Sequence, residues 1–374
     1  MVADFLKRVA RHAAALLTVG TRLRRVAGKD WALVLRYHRV TDEPVPLAVT
    51  VREFAAQVRF LRARCRLVTA GEVAASVAAG EPLLPRSVAI TFDDGYEDNF
   101  TEALPVLQRY AAQATFFLTA GWIGTGKMLW WDKLHDYIRQ AAELGARPQD
   151  YERLPRPVAA VLARADLRTR ATVARFEGDL VAALRELDLS PEELDDRVEH
   201  IAASLGAEEA RDELYRPMSW DQVRQLRAAG MEIGSHTMTH ARLPIVPVER
   251  AFEELEQSRK TIGRELGQPV SLLAYPAGEH SRDAIDLVTE AGYEGAYTTA
   301  SGPVRAGDDP FRLRRIGVWT GGYRGAFGLF SPSVFGLQIS RLARQAAQGQ
   351  AKGARARSPE KGTGTFWAKP PSGL

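Results

Sequence analysis

Residues 87–98 read SVAITFDDGYED, and the rest of the chain is organised around this stretch. Ser87–Phe92 is a short apolar and β-branched run, the pattern of a buried strand. It stops at Asp93-Asp94-Gly95. Two carboxylates side by side at the mouth of a buried strand are costly unless something ionic sits between them. A metal meets that need, with one Asp as ligand and the other left to act as a base. A solvated turn is the competing reading, because Asp-Asp-Gly is also good turn chemistry. A partner lies further on. Ile233–His240 reads IGSHTMTH, with His236 and His240 four apart. One helical turn at that spacing brings two imidazoles to one ion. Two histidines and one carboxylate, with positions left for water, make the ligand set of a catalytic rather than a structural divalent site.

Outward from this stretch, strands alternate with helices. Trp31–Tyr37 (WALVLRY) is the first strand, and it runs into His38-Arg39-Val40. Helices are predicted over Val51–Arg64, Ala70–Ala79 and Ala103–Tyr110, and a strand over Ala114–Ala120. The rhythm then breaks, and 127–215 is helix-patterned almost throughout. Ser190-Pro191-Glu192-Glu193 is a capping box with Pro at the first helical position. After it the alternation resumes. A strand over Met231–Ser235 leads into the histidines, and one over Ser271–Ala274 into the turn Tyr275-Pro276-Ala277-Gly278. Gly295–Thr299 and Arg312–Val318 follow as strands, with helices over Glu249–Leu266 and Ser281–Ala291 between. Such alternation points to parallel βα units, whose chemistry sits at the C-terminal ends of the strands. The expected organisation is a barrel over 30–126 and 216–328, with a helical insertion over 127–215. Within the insertion, Trp131 beside Trp130 is either a platform for a sugar ring or ordinary core packing.

The chain of 374 residues carries a formal charge of +4, and its ends are far more basic than its middle. Residues 1–29 hold seven Lys and Arg against Asp4, and 341–374 hold seven against Glu360, which leaves 30–340 at −8. The basicity belongs to the ends, so a nucleic-acid-binding core is not implied. Residues 1–29 read as a basic amphipathic helix suited to peripheral contact with an anionic membrane, with a packed helix or a fraying tail as alternatives. Ala13–Val19 is short and weakly hydrophobic for a cleaved signal peptide. With no transmembrane run, the expectation is a cytoplasmic or peripheral membrane location. Residues 329–374 are expected to form a C-terminal helix and a disordered basic tail. Cys65 is the one cysteine, so no disulfide forms within the chain.

TFDDG at 91–95 together with SHTMTH at 235–240 resembles the first two motifs of the NodB-homology polysaccharide deacetylases, carbohydrate esterase family 4. The YPAG turn at 275–278 is similar to a subgroup with a YPxG third motif. The resemblance implies a distorted (β/α)7 barrel with a helical insertion. It implies a divalent metal, most commonly zinc, on Asp94, His236 and His240, with Asp93 as general base. It also implies an oxyanion facing the metal and a backbone N–H of the turn at Tyr275, Ala277 and Gly278. Two departures stand out. Where the family's third motif often has an Arg to orient the catalytic Asp, this chain has Ala274, and Arg314 or Arg315 of RLRRIGV is the candidate replacement. The family's closing Leu-x-His is absent, since no histidine follows His280, and His38 is the candidate general acid. His280 itself is expected only to precede a helix. The implied activity is metal-dependent removal of an N-acyl group, N-acetyl above all, from an amino sugar in a polysaccharide or lipid-linked saccharide. The alternatives are a carbohydrate-binding or scaffold relic of the barrel without turnover, or an amidohydrolase or esterase acting on a small non-sugar substrate.

Overall fold

The computed structural model describes residues 31–210, 214–320 and 331–348. The basic segment 1–29 and the tail beyond 348 lie outside the described residues, and so do the expectations placed on them. Two strands form the spine, β1 (Trp31–Tyr37) and β3 (Ser87–Phe92), and every residue in both is buried. Continuous apolar runs of this kind belong to parallel strands covered on both faces. Between them lie α1 (Val51–Arg64), β2 (Arg66–Val68) and α2 (Ala70–Ala78). Thr69 caps α2 reciprocally with Glu72. α3 (Leu104–Arg109) leads to β4 (Thr115–Leu118). The helix predicted over Ala103–Tyr110 therefore starts one residue late, because a π-turn over Asn99–Ala103 precedes it.

The inserted helices are α4 (Trp130–Leu144), α5 (Arg156–Leu162), α6 (Arg170–Arg185) and α7 (Pro191–Leu205). The βα rhythm returns with α8 (Trp220–Ala228), β5 (Glu232–Ser235), α9 (Val248–Leu266), β6 (Leu272–Ala274), α10 (Arg282–Glu290) and β7 (Gly295–Tyr297). Two short strands, β8 (Val304–Arg305) and β9 (Ile316–Gly317), and helix α11 (Pro332–Gln348) complete it. The strand predicted over Arg312–Val318 thus forms a ladder only at its centre. No helix among the described residues is long and apolar enough to cross a membrane.

The main sheet runs β1–β3–β4–β5–β6–β7 with every neighbouring pair parallel. It curls until its ends approach. The Thr298 and Leu313 N–H groups join the 313 segment to β7, donating to the carbonyls of Leu313 and Ala296 at 2.8 and 2.9 Å. Three residues later β9 pairs with the side of β1 away from β3, Leu35 opposite Ile316 and Arg36 opposite Gly317. The result is a distorted (β/α)7 barrel. Alternate residues fill its interior, among them Val34, Ala89, Phe117, Ala274, Tyr297 and Leu313, and α2 packs into the same cluster. The intervening residues face the helices, where Tyr37, Phe54, Phe92 and Phe116 stack in series.

The chain divides into two compact units, one holding the barrel and the other comprising 125–217 with 245–247. The second unit has its own apolar core, contributed by α4 to α7, with Leu134, Ile138, Leu180, Leu184, Val198 and Ile201 at its centre. The capping boxes at Thr169 and Ser190 set where α6 and α7 begin.

Candidate active site

The mouth of β3 sets the geometry. The Asp93 N–H donates to the Tyr37 carbonyl at 3.0 Å and so prolongs the β3–β1 ladder by one residue. Asp93 therefore keeps the inward direction of Ala89 and Thr91. Asp94 leaves the strand at once, with φ of 77°, and Gly95 follows at 104°. The Asp-Asp-Gly segment is thus the turn itself and also carries the two carboxylates. Gly95 is required there twice over, by its backbone angle and because a Cβ would lie 2.7 Å from Ile123 Cδ1.

His236 follows β5 and His240 lies four residues on. His236 Nδ1 is 2.6 Å from the Ala274 carbonyl, which only accepts, so the ring donates there. Its Nε2 lone pair then faces Asp94 Oδ1 at 3.5 Å, and His240 Nε2 lies 3.7 Å from the same oxygen. One ligand atom from each of the three residues falls within 4.8 Å of the others. A histidine fixed through its far nitrogen to a carbonyl is the usual support of a metal ligand. Two imidazoles and a carboxylate fit a divalent ion such as zinc.

The two imidazoles meet without a helical turn between His236 and His240. Thr237 and His240 have φ of 66° and 62°, so the loop bends through left-handed residues instead. Glu254 of α9 holds it in that shape. Its carboxylate accepts from the N–H groups of Met238 and Thr239 at 2.9 and 2.7 Å and from the Thr239 hydroxyl at 2.7 Å. The sequence reading passed over Glu254, yet a signal was present. With Ala251, Leu255, Ser258 and Ile262, this acid sits on the buried stripe of α9.

Arg315 closes on Asp93 as a fork, Nη1 to Oδ1 at 2.6 Å and Nη2 to Oδ2 at 2.8 Å, while its Nε donates to the Thr298 carbonyl. Both side chains are almost wholly buried. Arg314, the other arginine the sequence offered, is exposed. Burial pushes the Asp93 carboxyl up, but Arg315 and His236 together outweigh it and hold the group well below the usual carboxylate range.

His38 directly follows β1 with the parity of the inward residues Val34 and Arg36, and it is buried. Burial first, and then Arg36, lower its pKa well below the ordinary imidazole value, so the ring is neutral. Three hydrogen bonds clamp the chain around it. Asn99 Nδ2 donates to the His38 carbonyl at 2.8 Å, and Asp98 accepts from the Val40 N–H and from Arg39 Nε. The π-turn over Asn99–Ala103 starts at this Asn, and the sequence had marked neither residue.

In the turn after β6, the Tyr275 N–H donates to the Tyr297 carbonyl and the Gly278 N–H to the Tyr275 carbonyl. Ala277 between them has φ of 55°. The Tyr275 hydroxyl donates to the Phe311 carbonyl, and burial raises its pKa. His280 stacks on Tyr275, and its Nε2 accepts from Arg312. Trp131 lies in the inserted unit, edge-on to Trp130 at 5.4 Å and packed against that unit's core.

The comparison of sequences points to a hydrolase of carbon–nitrogen bonds other than peptide bonds. The family described as Polysaccharide deacetylase matches residues 80–185 and 195–296, and the chain belongs to it. YxkH of Bacillus subtilis (strain 168), which carries a polysaccharide deacetylase name, is 21% identical over 302 residues, 80% of this chain and 76% of its own. A poly-beta-1,6-N-acetyl-D-glucosamine N-deacetylase of Escherichia coli (strain K12) is 27% identical over 97 residues, 25% of this chain and 14% of that protein. IcaB from Ammonifex degensii shares the fold, with a TM-score of 0.53 at 20% identity over 84% of this chain and 97% of its own.

Proposed function

We propose that the protein removes acetyl groups from N-acetylated amino sugars of a polysaccharide, with one divalent ion, zinc above all, on Asp94, His236 and His240. The observation that carries this reading is the buried Asp93 carboxylate, gripped at both oxygens by Arg315 and adjacent in sequence to the ligand Asp94. When bound, the ion supplies Lewis acidity to the amide carbonyl and to a nearby water. Asp93, kept ionised by Arg315, takes a proton from that water as its oxygen attacks the carbonyl carbon. Negative charge then grows on the carbonyl oxygen, facing the turn after β6. The Tyr275 and Gly278 N–H groups are committed within the fold, so the Ala277 N–H is the donor assigned to that oxygen. One such donor contributes about 3–4 kcal/mol in comparable sites. The C–N bond breaks as the nitrogen gains a proton from His38. Because that imidazole is neutral at rest, the proton it delivers is the one passed on from Asp93 within the same turnover. The products are acetate and a free amine.

The name of the Escherichia coli relative makes β-1,6-linked N-acetylglucosamine the first polymer to try. The test is acetate release from an N-acetylglucosamine oligomer by zinc-loaded protein, with and without chelator, beside Asp93→Asn. Chelator-sensitive release, lost in Asp93→Asn with metal retained, is the expected result. Protein that takes up no divalent ion under any loading overturns the reading.

A further inference from the structure

We infer that Trp319 is a substrate-contacting residue of this site, its indole stacking on a pyranose ring of the glycan beside the reacting acetamide. The ligand's identity rests on the deacetylase reading above, and the position rests on strand register alone. Leu313 belongs to the barrel interior. Along an extended chain every second residue returns to the same face, which turns Arg315, Gly317 and Trp319 inward. Arg315 confirms that parity by meeting Asp93. Arg36 of β1 lies opposite both Gly317 and Thr91, so these three share a level. The Val318 N–H donates to the Arg36 carbonyl at 2.9 Å and carries the pairing onward. Two residues further along the three chains stand His38, Asp93 and Trp319. The proposed acid, the proposed base and the Trp319 backbone thus share one level of the mouth.

Gly317 explains how the ring lies. A Cβ there would be 2.8 Å from Trp319 Cζ3 and 3.3 Å from Arg36 Nη2, so the indole rests over the bare backbone of Gly317 beside the guanidinium. His38 and Asp93 are 4% and 1% exposed, whereas Trp319 is 37% exposed. It is the one aromatic among the large hydrophobic side chains exposed in the described residues. An apolar ring left to water beside polar chemistry gains by being covered. A sugar offers the matching surface, an apolar C–H face with hydroxyls at its edge. Contacts away from the reacting bond help to place that bond for attack.

The test uses the full zinc-loaded chain with the N-acetylglucosamine pentamer as probe. Acetate release gives KM and kcat, and calorimetry on Asp93→Asn protein gives binding without turnover. Trp319→Ala is expected to raise KM and weaken pentamer binding by about tenfold or more, with parental metal content and unfolding midpoint. Trp319→Phe, which keeps a planar ring, is expected to stay within about threefold of the parent. If the alanine variant loses its midpoint, Trp319→Leu is read in its place. Binding unchanged in Trp319→Ala, or a pentamer that does not bind the parent at all, overturns the inference. A pentamer that binds through Trp319 but never loses acetate supports the stacking and overturns the deacetylase reading instead.

Discussion

Arg315 carries the sharpest consequence, because among the described residues it is the counter-ion drawn as a fork onto the proposed base. Replacing it by Met leaves a buried carboxylate without that counter-ion, a change that costs about 3–5 kcal/mol of stability in comparable proteins. The pH sense follows from the direction of the shift. Asp93's folded pKa is depressed, so its contribution to stability is present above the unfolded value and is lost as pH falls through the folded one. Without Arg315, burial raises the pKa, and the carboxyl protonates at a higher pH. Arg315→Lys is the more informative variant. Lysine keeps the charge but offers a point contact in place of two parallel bonds. Asp93 then keeps its ionisation and loses its fixed orientation. Misplacing a reacting group by an ångström costs about 10²-fold, or about 2.7 kcal/mol in the barrier. The assay is kcat/KM for acetate release, beside a urea midpoint and metal content. Arg314→Ala, at the exposed neighbour, is the control and should move stability by less than about 0.5 kcal/mol. Arg315→Lys with kcat/KM within about threefold of the parent would refute the reasoning, because orientation would then contribute less than about 0.7 kcal/mol.

Other outcomes follow from single contacts. Glu254→Gln keeps the shape of the loop brace but weakens its charge-assisted bonds, so zinc affinity should fall by about 10–100-fold in a competition titration with a chelating dye. His38→Gln should lower kcat by about 10²-fold or more while bound zinc stays at the parental level, and unchanged turnover would remove His38 from the reaction. In the inserted unit, burial lowers the pKa of His135, but Glu177 at 2.9 Å overrides it and the net shift is upward. The stabilisation is therefore full below the unfolded imidazole pKa and lost as pH rises through the folded one. Glu177→Gln should bring the His135 ring titration, followed by NMR, down to lower pH and remove that dependence.

How much of this was legible in the sequence depends on what each residue needs from its surroundings. TFDDG was readable because a buried apolar run ending in two acids poses an electrostatic problem that few arrangements solve. The alternation of elements gave the barrel and the inserted helices for the same reason, since periodicity is local. The backbone of the loop bearing the histidines was not legible. A His-x-x-x-His spacing fits a helical turn, and nothing local announces that Thr237 and His240 turn left-handed. That shape is set by Glu254, which reaches it from the next helix. The choice between Arg314 and Arg315 was equally closed to inspection. Apolar residues at 313, 316 and 318 break strict alternation, so the inward parity appears only when Leu313 is seen within the barrel. Nothing local singles out Asp98 and Asn99, and their hold on 38–40 is visible only across the β1–β3 mouth.

The two adjacent acids owe their different surroundings to backbone conformation rather than to chemistry. Asp93 remains in the ladder, so its side chain points down the barrel, where Arg315 satisfies both oxygens and keeps it ionised. Asp94, one peptide later, takes a left-handed angle and swings its carboxylate toward the two imidazoles. Backbone held in such regions costs about 1–3 kcal/mol per residue and persists only where its surroundings over-determine it. Here they do, through the tight turn at Gly95, the His236 ring fixed on the Ala274 carbonyl, and the bonds from Glu254 to the facing loop. Asp94→Gly should therefore relieve strain and remove a proposed ligand together. A gain in unfolding free energy of the metal-free protein, with zinc binding lost, is the paired result this account requires. A metal-free variant no more stable than its parent would show that the left-handed angle at Asp94 stores no strain.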